Sequence, residues 1–163
     1  MTHQELLIRW LKNTYSLELV VIETLTEHLK KARGYPAIQL GIKKHLEMAN
    51  AQAGRLEGCI KRLENPVKKE GDGLGKSAEL LASAEKAKGD QIVRDMVVDF
   101  GLGCLEIASY KTLISLALHF GDQETVSVCK KFLDQEKNIA KTLDKTLPTV
   151  IQEYIHRENP NED

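Results

Sequence analysis

The chain is poor in the residues that stiffen, interrupt or cross-link a fold. Aromatics make up 5% of its 163 residues, and there are only four prolines. The three cysteines, Cys59, Cys104 and Cys129, are widely spaced and form no Cys-x-x-Cys pair. That excludes a disulfide framework, and they read as reduced, mostly buried small hydrophobes. Net charge is −1 with both signs interspersed, so no broad basic footprint for DNA or RNA exists. No apolar stretch approaches the roughly 20 residues of a membrane span, and the start Met1-Thr2-His3-Gln4-Glu5 is not signal-like. A cytoplasmic protein with neither nucleic acid nor membrane as partner is the expectation. Nucleophile elbows are also absent. The glycine-rich run Gly71-Asp72-Gly73-Leu74-Gly75-Lys76 follows no strand and carries little weight as a phosphate loop.

What is present is Leu, Ala, Lys and Glu at helical spacing, within a chain that is 42% apolar. A first long helix is expected from about Thr2 to Ala32, opened by a Thr2/Glu5 capping box and carrying Leu7, Leu11, Leu17, Val21 and Leu25 inward. Gly34 and Pro36 end it and start a second helix to about Glu64. A loop from Asn65 to Lys76 leads to a short helix at about 77–88, with Leu80, Leu81 and Ala84 on one side. A third long helix spans about 90–120, with Asp90 as its cap. Asp122 caps a fourth, which reaches about Leu147, where Pro148 kinks or restarts it. Two helical hairpins joined by a long crossover give an all-α, up-down four-helix bundle, with a short extra helix on the crossover. At ~1.5 Å per residue each long helix measures about 45 Å, the length scale of the ferritin-like class. Residues 1–157 are read as one domain, with an acidic tail at 158–163.

Glu18, Glu106 and Glu136 fall on the inward stripes of three different helices. A buried carboxylate costs several kcal/mol unless paired, protonated or bound to a metal. In a hairpin, residues equidistant from the turn share a level. The turn at Gly121 therefore sets Glu106 opposite Glu136, and the turn at Gly34 sets Glu18 opposite a position close to Gln52. Oxygen-rich clusters of this kind bridge pairs of cations in bundle proteins when a histidine follows a glutamate by three residues. Here Ser109 and Ile139 stand at those places. The plain reading is that each glutamate bonds a nearby hydroxyl, amide or basic group, with Tyr15 and Tyr110 as ready donors. His45, on the inner side of the second helix, reads first as a core histidine and second as an accessory ligand. Glu47 points to solvent. Gly101 and Gly103 in mid-helix imply a close helix approach or a small cavity beside Glu106.

Several segments carry a resemblance. They are Thr14-Tyr15-Ser16-Leu17-Glu18, His45-Leu46-Glu47, Arg55-Leu56-Glu57, Glu106-Ile107-Ala108-Ser109-Tyr110-Lys111-Thr112-Leu113 and Leu133-Asp134-Gln135-Glu136-Lys137. Over about residues 5–150 the chain resembles the YciE/YciF-type stress-response family of ferritin-like proteins. The resemblance implies a ferritin-like bundle, a homodimer and a candidate dinuclear metal site. The sequence departs from the family pattern in three places. Met48-Ala49 stands for Glu-Thr, Gly103-Cys104-Leu105 for Glu-His-Tyr, and Gln135 and Ala140 for a Glu and an Asp. Glu18, Glu106 and Glu136 remain as candidate metal residues, with Gln52 and His45 as accessories. The expected function is a non-catalytic stress-type helical protein with an eroded metal site and no cofactor. The alternative is an iron- or manganese-binding protein or oxidase. A third reading is a scaffold offering the Leu80-Leu81 helix or the 150–155 segment to a partner protein.

Overall fold

The computed structural model describes residues 2–63, 73–83 and 89–158, and the described residues form five helices. These are α1 (His3–Lys31), α2 (Pro36–Leu63), the short α3 (Gly73–Ala82), α4 (Gln91–Phe120) and α5 (Gln123–Glu158). The acidic tail beyond Glu158, most of the crossover loop and the expected end of the short helix lie outside the described residues.

Local signals explain most of the boundaries. Both hydrogen bonds of the Thr2/Glu5 capping box form at the start of α1. Gly34 adopts φ 95° in the first turn and Gly121 φ 73° in the second, conformations in which a Cβ is strained. Asp122 caps α5 by accepting from the Thr125 amide at 3.2 Å. Asp90 behaves differently from expectation: its side chain makes no capping bond and instead pairs with Arg94 at 2.7 Å.

The helix order gives the topology. Leu7 and Leu11 of α1 share one apolar cluster with Leu56 and Ile60 of α2, Leu113 and Ala117 of α4, and Val126 and Phe132 of α5. Leu25 of α1, Ile38 of α2, Ile92 and Met96 of α4 and Val150 of α5 share the other. The crossover thus returns the chain to the level where α2 began. Consequently α1 and α5 run one way, and α2 and α4 run the other. This is the ferritin-like four-helix bundle with a long crossover carrying an extra helix. The glutamates lie between the two apolar clusters.

Four sequence expectations change. Pro148 does not end the last helix, which continues to Glu158. Its final turns are held by buried Val150, by the Tyr154 hydroxyl donating to the Gly89 carbonyl at 2.9 Å, and by Arg157 stacked 4.2 Å over the Tyr35 ring. Leu80 and Leu81 do not share a face. Neighbours on a helix are ~100° apart, so Leu81 packs against the bundle while Leu80 is 75% exposed. Cys104 is exposed, whereas Cys59 and Cys129 are buried. Finally, α4 is long and apolar enough by composition to cross a membrane, with a mean hydropathy of 1.2 over its most apolar window. In this bundle it lies against α1, α3 and α5 and buries Asp95, Asp99 and Glu106, as the central helix of a packed domain does.

Candidate metal centre

Glu18 of α1, Glu106 of α4 and Glu136 of α5 are all 0% exposed, as is Gln52 of α2. The level matching by hairpin turns therefore places four helices' polar groups in one dry layer. Gln52 Nε2 donates to Glu136 Oε1 at 2.7 Å, with a weaker 3.4 Å contact to Gln135. The Tyr110 hydroxyl donates to Glu18 Oε1. The donor thus comes from α4 across the helix interface rather than from a tyrosine of α1 itself. The Tyr110 ring is held edge-on by Phe132, with centroids 5.6 Å apart.

His45 belongs to this layer, and its role as a satisfied core histidine does not hold. Its Nε2 faces Glu106 Oε2 at 3.6 Å and Glu136 Oε2 at 3.5 Å. Those separations are too long for good hydrogen bonds. Single ligand atoms of His45, Glu106 and Glu136 lie within 4.8 Å of one another. Among the described residues, Glu18 Oε2, His45 Nε2, Gln52 Oε1, both oxygens of Glu106 and Glu136 Oε2 are buried without a hydrogen-bond partner. Buried polar atoms are rarely left this way, and such convergence is the donor set a cation satisfies.

Electrostatics follow from the burial. Desolvation pushes the Glu18 carboxyl well up, the Glu106 charge adds to this, and the Tyr110 bond opposes it. Burial also raises Glu106; His45 pulls it back and Glu136 raises it again, to about 7. Burial lowers the His45 imidazole, but the carboxylates of Glu106 and Glu136 outweigh this and raise it to about 10. Without a cation, the proton held by His45 offsets part of the negative charge of the carboxylates it faces.

Residues 2–156 match the family described as "Domain of unknown function (DUF892)". The chain belongs to that family. Solved structures show the same fold. A Xanthomonas campestris pv. campestris protein is 22% identical with a TM-score of 0.81, over 97% of this chain and 99% of that one. The Escherichia coli stress protein YciF is 22% identical with a TM-score of 0.74, over 93% and 98%. YcfI from Rhodopseudomonas palustris, whose description proposes a structural role, is 27% identical with a TM-score of 0.71, over 88% and 94%. The chain is thus a DUF892 member that shares the fold of YciF.

The mid-helix glycines divide between the two explanations offered for them. A Cβ on Gly101 would lie 3.0 Å from a Leu81 methyl, so α3 crosses there. Gly103 is buried, yet a Cβ on it would meet nothing within 4 Å, so open space lies one turn before Glu106. Sequence reasoning singled out neither His28, Asp95 nor Asp99, a second buried polar group between α1 and α4. His28 Nδ1 lies 2.6 Å from Asp99 and its Nε2 3.3 Å from Asp95. The available signal was the spacing of Asp95 and Asp99, one helical turn apart on an apolar helix.

Proposed function

We propose that this DUF892 member is a non-catalytic, stress-response-type helical protein whose eroded centre retains one cation position. His45, Glu106 and Glu136 would be its direct ligands, with Glu18 beside them. The observation that carries this is Glu106, which is 0% exposed with neither oxygen hydrogen-bonded. An imidazole with carboxylates suits a borderline divalent ion such as iron(II) or manganese(II). When bound, such an ion supplies Lewis acidity and, for iron, a one-electron couple. This chain's residues fit one such ion but not two: Ala49, Gly103 and Ala140 offer no side-chain ligand at the places where the family pattern has oxygen-bearing residues. That disfavours the oxidase reading.

Titration with cobalt(II), followed by its visible absorption, tests the proposal. About one equivalent should bind to the wild type, and Glu106→Gln should abolish the spectrum; absence of binding by the wild type removes the cation position.

The protein is further read as a cytoplasmic homodimer. Support for the dimer comes from the outward row of α4, Val97, Cys104, Ala108, Lys111, Ser115 and Leu118, where Val97 is 54% and Leu118 50% exposed. Residues at this spacing form a helix-packing seam. A monomer at all concentrations in sedimentation equilibrium would refute it.

A further inference from the structure

The buried centre has one thinly covered side. The contacts of α1 with α2, α1 with α4 and α4 with α5 are extensive, and α3 closes over α1 and α4, whereas α2 and α5 meet least. Between α2 and α5 runs a cleft of about 550 Å³, within the range of genuine small-ligand cavities. Its walls are largely apolar and include Leu25, Ile42 and Leu143; exposed Lys44 also borders it, and oxygen-bearing side chains cross it: Asp99, Gln135, Asn138 and Thr142. His45 lies at its inner end, 3% exposed, with its Nε2 unpartnered. Gln135 also touches Gln52, which holds Glu136. The cleft floor is thus physically continuous with the candidate ligands. The opposite side differs: the smaller α1–α3 cleft, lined by Glu23, Glu27 and Ser83, reaches only His28, which is already engaged by Asp95 and Asp99.

We propose that the α2–α5 cleft is the route by which a divalent cation reaches the centre, with Asn138 and Asp99 on the way in and His45 at its inner end. This rests on the cation position proposed above. A hydrated divalent ion needs oxygen groups to replace its water in steps, and in this cleft such groups lead to His45; a second α2–α5 cleft of about 530 Å³ shares Gln135 but is not lined by His45.

Stopped-flow uptake of cobalt(II) by the intact chain tests the route. Asn138 and Ser83 are exposed surface positions, so substitutions there need not disturb the core. Asn138→Trp, which fills the cleft mouth, should slow uptake several-fold, and Asn138→Lys should slow it by about tenfold at low salt, relieved by added salt. Final stoichiometry should stay unchanged in both. Ser83→Trp in the opposite cleft should load at the wild-type rate. Equal rates in all four proteins, or slowing confined to Ser83→Trp, would overturn the route and leave the centre standing. Failure of every protein to bind cobalt would remove the centre and the route with it.

Discussion

Among the described residues two buried histidines each face two carboxylates, and they are built to opposite ends. His28 uses both ring nitrogens, one toward Asp99 at 2.6 Å and the other toward Asp95 at 3.3 Å. Gln91 adds a 2.5 Å bond to Asp95. The groups diverge around the ring, and most of their polar atoms are engaged. His45 instead presents one nitrogen to two carboxylates at 3.6 and 3.5 Å, and Glu18 Oε2, both oxygens of Glu106 and Glu136 Oε2 are left without donors. Divergence makes a clamp between α1 and α4; convergence on one point makes a ligand set. The same residue types therefore serve packing in one place and binding in the other, and the direction of their atoms decides which.

Substitutions should separate the two. His28→Leu leaves two buried aspartates without their partner and should cost about 3–5 kcal/mol of unfolding free energy, measured by denaturant titration, with cobalt affinity unchanged. His45→Leu should lower cobalt affinity by at least ~10–100-fold. It should cost less stability without metal than His28→Leu, because Glu106 can take up a proton once its basic neighbour is gone. If cobalt affinity followed His28 instead, the assignment of clamp and ligand set would be reversed.

Tyr110→Phe removes the donor to Glu18 and leaves that carboxyl one bond short. A loss of about 1–3 kcal/mol in thermal or chemical unfolding is expected; no loss would mean that the Tyr110–Glu18 bond does not hold α1 to α4.

The pH response sharpens the contrast further. Glu106 is raised from 4.5 to about 7 and His45 from 6.5 to about 10. Each group binds more protons in the folded chain than in the unfolded one between those limits. Their stabilisation is complete below the lower value and disappears as pH rises through the upper. Metal-free protein should therefore lose stability from about pH 4.5 to 10, with a slope up to ~1.4 kcal/mol per pH unit for each proton involved. Cobalt affinity should run the other way, rising with pH because His45 must give up its proton to bind. A flat metal-free profile would show that these groups are not held in their dry layer.

The smallest expected effect lies at the two glycines. Gly103→Ala adds a methyl group to open space within a helix and should stabilise the chain by about 0.4–1 kcal/mol. Gly101→Val should destabilise it, because Leu81 stands 3.0 Å from the first added carbon. Reversed signs would mean that α3 does not rest on α4 there.

Most of the bundle was legible because its signals are local and periodic. Caps, turn glycines and apolar spacing fixed four long helices, and equal distances from Gly34 and Gly121 put Glu18, Gln52, Glu106 and Glu136 in one layer. What escaped depended on contacts between distant segments. Pro148 reads as a kink or restart, yet the helix runs on through it to Glu158, with Tyr154 bonded to Gly89 and Arg157 stacked over Tyr35. His45, two turns before Gln52 on α2, reads only as an accessory at that spacing, yet its ring faces both Glu106 and Glu136. His28 carries no signal of its own in the sequence, because its aspartates lie on α4, with α2 and α3 between.

Elemental analysis of protein purified without chelators, combined with an anomalous difference map, addresses the centre most directly. The account expects close to one transition-metal ion per chain, located between His45, Glu106 and Glu136 and lost in His45→Leu. A metal-free centre in protein supplied with iron and manganese, or an ion bound elsewhere, would contradict it.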